Sequence, residues 1–435
     1  MKKIAKIMAI VLTLALLFTA CAPKNPSTGN TGDQSKEVSL RFSWWGGDER
    51  HEKTLEVIKL YEELNPGVKI TAEYGGWQGH LEKITTQILG NTAADIIQIN
   101  WNWIAAFSKD GSGFYDLNTL ADYIDLGNYE DHLLAQTTVN GKLNGLPVGI
   151  AGKVFYYNAN TWEKAGVPIP KTFDELFAAA PVFKEKLGKD YYPFDLDQYG
   201  AFLMTLYYLE QKTGKPFIGD DNQVAYTAAE LEEAYEFYLK MVEAGVTPSI
   251  EARAAAGNVP VDQTPGWIQG KYGGTYEWDS AINKFQQSLE GDQKIVTGEF
   301  LTGIGSHPSA LAKVSMVYGI NKNTKYPEEA AKFLNFLVSD PRATEILGTS
   351  RGIPANKAAV ETLVSKDQLK GLTFEGNTKV NEFIGQGISP YFEADELQQF
   401  YRAVIEELGY GKLTAAQAAE KTIKEVNRLL KEKAN

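Results

Sequence analysis

Two hydrophobic periods alternate over the first hundred residues of the folded part of the chain. VSLRFSWW places Val38, Leu40, Phe42 and Trp44 on one side of a predicted strand. Asp48 is positioned to cap a helix that runs to about Leu64 with an apolar face of Leu55, Ile58, Tyr61 and Leu64, and Asn65-Pro66-Gly67 stops it. VKITAEY then alternates Val68, Ile70, Ala72 and Tyr74 and ends in Gly75-Gly76-Trp77. A second helix, over about 79–89, leads to the apolar strand ADIIQIN and on to Trp101-Asn102-Trp103. The order β, α, β, α, β predicts a largely parallel α/β sheet with helices on its faces.

Later the pattern turns helical. GLPVGIAGKVFYYN reads as a long, glycine-interrupted extended segment. Thr172 with Glu175 and Thr227 with Glu230 fit the capping box, and Tyr326-Pro327-Glu328-Glu329 puts proline in a first turn. Strand-like pieces return at about 271–276 and at SMVYGI (315–320), and the stretch 395–432 is helical with a break at Gly409-Tyr410-Gly411. A body of about 400 residues exceeds what one hydrophobic core usually serves, so two domains are expected. With no repeat or linker between them, the domains are expected to be interwoven by several crossings of the chain.

The N-terminus is of a different kind. Lys2, Lys3 and Lys6 precede an apolar run too short for a stable span, which reads as an export signal over residues 1–20. It ends in Leu17-Phe18-Thr19-Ala20-Cys21, which resembles the lipobox of bacterial lipoproteins, with Phe18 where leucine is usual. The resemblance implies diacylation of Cys21 and anchoring at the outer face of the bacterial cytoplasmic membrane. Residues 21–37, with almost no apolar side chains, then form a tether reaching roughly 20 Å. Cys21 is the only cysteine, which excludes disulfides within the chain and cysteine metal clusters. The 43 Lys and Arg against 55 Asp and Glu give a net charge of −12, which argues against nucleic acid as a partner.

Enzyme signatures are missing. There is no Walker loop, no glycine fingerprint opening the first helix, no HExxH and no GxSxG. His51, His80, His132 and His307 are too scattered for a zinc site, and no metal or cofactor is expected. Glu277 and Asp279 in TYEWDS form the one carboxylate pair that a glycosidase reading has to weigh.

The aromatic positions say more. Trp44, Trp45, Trp77, Trp101 and Trp103 all follow the carboxyl ends of predicted strands, where open parallel sheets bind ligands. Trp267 and Trp278 flank a later strand-like segment. Indole offers a flat apolar face for the C–H side of a pyranose, and neighbouring polar groups such as Asp48, Arg50, Asn100 and Asn102 offer hydrogen bonds to its hydroxyls. By pleat alternation Trp44 and Trp45 face opposite ways, so one is expected to stack on ligand while the other packs inside. Arg41, Arg50 and His51 are also candidates for the recognition of an acidic glycan such as a pectin fragment.

Taken with the lipobox, the segments LRFSWWGG, YEELNPGVKI, TAADIIQINWNW, GLPVGIAGKVFYYNANTWEKAGVPIPKTFDEL and YPEEAAKFLNFLVSDPRATEIL resemble the extracellular oligosaccharide-binding lipoproteins of bacterial ABC importers, the group that includes maltose-binding protein. The likeness covers nearly the whole chain. It implies an α/β two-lobed clamp, each lobe a mainly parallel sheet flanked by helices, with residues 38–149 plus 314–350 in one lobe and 150–313 plus 351–435 in the other. The crossings fall near Gly149, Lys313 and Gly352. It also implies a monomer that binds an oligosaccharide, closes, and delivers it to permease subunits, without enzymatic activity. Trp44, Trp45, Trp77, Asn100 and Trp101 sit where this family places first-lobe contacts, and Trp267, Tyr276, Glu277 and Trp278 resemble the second lobe's share. Asp195, Asp197, Tyr199, Tyr391 and Phe392 are further candidates.

Overall fold

The computed structural model describes residues 37–434. The export signal, Cys21 and the tether up to residue 36 lie outside the described residues. No helix among the described residues is long and apolar enough to cross a membrane.

The opening β-α-β-α-β order forms as the periodicity predicts. β1 (Val38–Trp45), β2 (Val68–Gly75) and β3 (Ile96–Asn100) alternate with α1 (Asp48–Leu64) and α2 (His80–Leu89). β1 lies between β2 and β3 and pairs parallel with both, Trp45 opposite Gly75 and Ser43 opposite Ile97. The helical crossovers return each strand in the same direction, so all three carboxyl ends meet one edge. α1 differs in phase from the apolar reading: Thr54, Val57, Ile58 and Tyr61 are buried, while Leu55 and Leu64 are exposed. Its N-cap is Gly47 rather than Asp48, with no side-chain cap bond.

A small hairpin, β4 (Thr138–Val139) and β5 (Lys142–Leu143), precedes the strand that organises the molecule, β6 (Leu146–Asn158). Its first half pairs antiparallel with β9 (Ala312–Ile320) and β10 (Ile353–Pro354). Its second half pairs antiparallel with β7 (Gly274–Trp278) and β8 (Ile295–Thr297). β9 in turn lies antiparallel to β3. The expectation of a mainly parallel sheet in each lobe therefore needs correcting. Parallel pairing runs from β2 to β3; beyond it the named strands pair antiparallel, because β9 and the end of β6 reach their neighbours from the opposite direction. Isolated parallel bridges, Tyr192 with Tyr272 and Asp195 with Thr275, border the second group.

Two hydrophobic cores follow this division. One gathers Leu40, Phe42, Val57, Ile96, Val317 and Phe333. The other gathers Phe155, Phe202, Tyr235, Trp267 and Tyr401. The helix Lys357–Ser365 packs against Pro341–Leu347 and Pro327–Ser339 on the first core, whereas Leu372–Glu382 packs against β6 and β8. Gly152 in β6 makes that second approach possible: a Cβ there would lie 2.5 Å from Val380. Thr227 and Glu230 make the complete capping box, whereas Glu175 turns its carboxylate to the Lys171 N–H and leaves the box at Thr172 half made.

Candidate functional site

At the carboxyl edge of β1–β3 the pleat sorts the two adjacent tryptophans. Trp44 turns into the first core, its ring stacked 5.0 Å from Tyr74 and 4.9 Å from Phe42, and its Nε1 donates to His51 Nδ1 at 3.1 Å. Both the ring and its polar atom are therefore engaged by protein. Trp45 turns the other way and joins Trp77, Trp103 and His80, with ring centroids 5.2, 5.6 and 5.1 Å away. Trp77 stacks on Trp103 at 5.3 Å and is 55% exposed, while Trp45 and Trp103 are 7% and 8% exposed. Trp101 is buried, its Nε1 donating to Gln136 O at 2.8 Å.

The polar neighbours divide as well. Arg50 folds back, donating to Trp45 O at 3.0 Å and to Ser350 O at 2.9 Å. Gly46 makes room for it, since a Cβ there would lie 2.5 Å from Arg50 Cδ. Asn100 donates to Asn102 Oδ1 at 2.8 Å, and Asp48 is exposed on the first turn of α1. Arg41 is taken up by Glu73, away from this edge.

The strand ends point toward the crossing between the two cores. Asn100 of β3 pairs with Met316 of β9, and three residues nearer the start of β9 stands Lys313. Gln136, which holds Trp101, also accepts the Val314 N–H through its Oε1 at 2.9 Å. Lys313 faces Ala151 of β6, and Lys153, two residues on, faces Trp278 of β7. Both ammonium groups lie over the Trp278 ring, Lys153 Nζ at 5.1 Å and Lys313 Nζ at 4.8 Å from its centroid. Such contacts contribute about 0.5–2 kcal/mol each.

Each lysine also has a carboxylate. Lys153 Nζ is 2.7 Å from Glu277 Oε1, and Lys313 pairs with Glu393. An ammonium has three donors. Lys153 uses a second on Tyr276 O at 3.5 Å, so both lysines keep donors to spare. Nearby, Arg402 spans Asp197 at 2.9 Å and lies 5.1 Å over the Tyr199 ring.

Several sequence candidates are drawn into the second core instead. Trp267 is fully buried, its Nε1 on Phe285 O at 3.2 Å. Tyr276 is buried 4.7 Å from Phe155, on the core side of β7. Asp195 is buried against Arg253 at 2.6 Å, and Phe392 packs on Tyr401. Asp279 ties the crossing together, accepting from Gly152 N at 3.2 Å, Ser280 N at 2.7 Å and Asn377 Nδ2 at 2.8 Å. Burial raises its pKa to about 6. Its carboxylate is thus committed to backbone and Asn377. Among the described residues no group of three metal-ligating side chains is close enough to hold an ion.

In this structure the rings of Trp44, Trp101, Trp267 and Tyr276 are covered by protein. Trp45, Trp77 and Trp103 form one aromatic cluster, and Trp278 with Glu277 forms a second one that is charged. Sequence reasoning missed Lys153 and Lys313. The signal was available, since each is the lone charge inside an apolar extended run, GIAGKVFYY and SALAKVSMVYGI.

A cavity of about 900 Å³ also lies at the crossing, where Ile150, Ile353 and Pro354 face Phe374 and Asn377. None of the tryptophans lines it.

Residues 56–370 match the family of bacterial extracellular solute-binding proteins. A solved structure of a periplasmic oligogalacturonide-binding protein from Yersinia enterocolitica is 38% identical, covering 92% of this chain and 100% of its own, with a TM-score of 0.87. The same protein in complex with saturated digalacturonic acid matches over the same lengths with a TM-score of 0.74. Among curated sequences, the arabinooligosaccharide-binding protein of Bacillus subtilis is 26% identical over 235 residues, 52% of this chain and 53% of its own.

Proposed function

We propose a function from the premise that the chain belongs to the bacterial extracellular solute-binding proteins, whose two-lobed architecture it shares: it captures an oligosaccharide bearing uronic-acid carboxylates between its two lobes and hands it to the permease of an ABC importer. The lobes are residues 38–149 with 314–350 and residues 150–313 with 351–435, the helix Lys357–Ser365 leaning on the first. Cys21 carries the lipid that holds the protein, as a monomer, at the outer face of the cytoplasmic membrane. No catalytic step is part of this reading.

The observation that carries it is the Trp278 ring with two lysine ammonium groups over it at the crossing of the two cores. A uronic acid has a C–H face for an aromatic ring and a carboxylate for a cation, so ring and charge in one place match both features. Trp45, Trp77 and Trp103 offer a second aromatic surface at the strand ends that lead to the same crossing. The Yersinia relative, 38% identical over nearly the whole chain, is an oligogalacturonide-binding protein, which supports the acidic ligand over a neutral one.

Closure follows from linkage. A ligand that touches both lobes binds the closed form better and shifts the population toward it. The TM-scores of 0.87 and 0.74 against that relative's two structures, the lower one for the digalacturonate complex, are in keeping with such a change of shape.

Calorimetric titration with digalacturonate, its carboxyl-reduced counterpart and maltotriose tests the proposal. Digalacturonate is expected to bind saturably, with the reduced sugar at least ~10-fold weaker, a difference of about 1.4 kcal/mol. Equal affinity for the acidic and reduced sugars overturns the acidic ligand. Failure of every glycan to bind or to raise the melting temperature overturns the carbohydrate reading itself.

A further inference from the structure

Beneath the segment Ser350-Arg351-Gly352, two guanidinium groups lie close together without a counter-charge. Arg351 is 7% exposed; its Nε donates to Gln98 Oε1 and its Nη2 to Thr54 Oγ1, both at 2.9 Å, and its Nη1 has no partner. Arg50 donates only to the carbonyls of Ser350 and Trp45. All four acceptors are neutral. Burial, and after it the like charge of Arg50, pulls the Arg351 pKa below the usual arginine value. A buried charge without a partner costs several kcal/mol.

Arg351 lines a cavity of about 40 Å³ together with Ser350, Tyr318 and Thr344, and no acidic or basic side chain besides Arg351 shares that lining. Ser350 Oγ, Tyr318 Oη and Thr344 Oγ1 are, like Arg351 Nη1, buried without a hydrogen-bond partner. Four groups able to donate thus border one small space, and Asn356 Nδ2, also buried without a partner, shares the lining. Water placed there can bond to the three hydroxyls, which accept as well as donate, but it leaves the guanidinium charge uncompensated. A monatomic anion accepts from all four and neutralises the guanidinium as well.

We propose that this cavity binds a small monovalent anion of chloride size, held by Arg351 Nη1, Ser350 Oγ, Tyr318 Oη and Thr344 Oγ1. The volume fits roughly three water-sized spheres, room for one such ion with a water or two. It excludes a sugar, whose sites occupy about 300 Å³ or more. The ion pins Ser350 and Arg351, and through Arg351 the side chains of Gln98 and Thr54, at a point where the chain passes between the two cores.

The test uses bromide as a chloride substitute that scatters anomalously. Crystals of the exported protein soaked in sodium bromide are expected to show an anomalous peak in this cavity. In solution the melting temperature is expected to be about 2 °C or more higher in sodium chloride than in sodium gluconate of equal ionic strength. Arg351→Gln is expected to abolish that difference. Ser350→Ala, which keeps the buried guanidinium network, is expected to reduce it while the protein remains folded. Ordered water in place of bromide, equal melting in the two salts for the wild type, or an undiminished difference in both variants overturns the site.

Discussion

Two tryptophan clusters stand at the edges that face the crossing, and they spend their indoles differently. At the first edge Trp45, Trp77 and Trp103 cluster while Trp44 and Trp101 pack inside, all five closing the carboxyl ends of three parallel strands, and only Trp77 is largely exposed. In the second, Trp278 stands at the end of an antiparallel strand with Lys153 and Lys313 over it and Glu277 and Glu393 behind them. The first cluster is chiefly a lid on its own core, with one ring left over. The second is small and charged. Aromatic surface alone suits any pyranose, so under the proposed function discrimination between sugars is expected to rest on the second cluster.

Breaking the first cluster from within gives the largest effect. Trp44→Ala removes a fully buried ring between Phe42 and Tyr74, which costs about 3–5 kcal/mol by the usual large-to-small rule. Urea unfolding of the unliganded protein measures it. A loss below about 1 kcal/mol, with sugar binding gone, assigns Trp44 to the ligand instead of the core.

The crossing beside the second cluster is broken by pH next. Asp279 has its pKa raised to about 6 by burial, against 3.8 for the free side chain. The folded protein holds this proton more tightly than the unfolded chain, so stability from the protonated group is full below about pH 4 and falls as pH rises through 6. Asp279→Asn has no such proton. Whatever fixed offset the lost acceptor imposes, the variant is expected to gain about 3 kcal/mol on the wild type between pH 4 and 7. Parallel unfolding curves across that range, with a constant difference between the two proteins, contradict the assignment.

The order of elements through Asn100 was legible because periods of two and of about 3.6 alternate with clear stops. The phase of α1 was not. Thr54 looks like a surface residue by polarity, yet it is buried because Arg351, almost 300 positions away, donates to its hydroxyl. The same distance problem governs the tryptophans. Sequence places five indoles at strand ends, but which of them faces outward depends on groups such as Gln136, which holds Trp101, and Tyr74, which covers Trp44. Lysine in a buried strand was the overlooked sign, since a charge survives there only with partners, and its partners Glu277 and Glu393 come from distant parts of the chain.

Lys313→Met sharpens the comparison, because it removes charge from the second cluster while keeping much of the aliphatic stem. Loss of one charge-assisted hydrogen bond to a ligand carboxylate predicts about 10–100-fold weaker digalacturonate binding. The carboxyl-reduced sugar is expected to lose less than about threefold. Equal losses for both sugars mean that Lys313 acts through the Glu393 pair and the geometry of the crossing, not through ligand charge.

Trp77→Ala makes the smallest change and asks the complementary question of the first cluster. The ring is 55% exposed and stacks on Trp103 through one face, so its removal barely alters the core, and unliganded stability is expected to fall by less than about 1 kcal/mol. Its stacking with a sugar is worth about 0.5–1.5 kcal/mol, up to roughly tenfold in affinity. Because an indole face does not read charge, acidic and reduced sugars are expected to weaken by the same factor in calorimetric titration. A loss confined to the acidic sugar makes the first cluster part of the charge-reading machinery and erases the division of labour between the two edges.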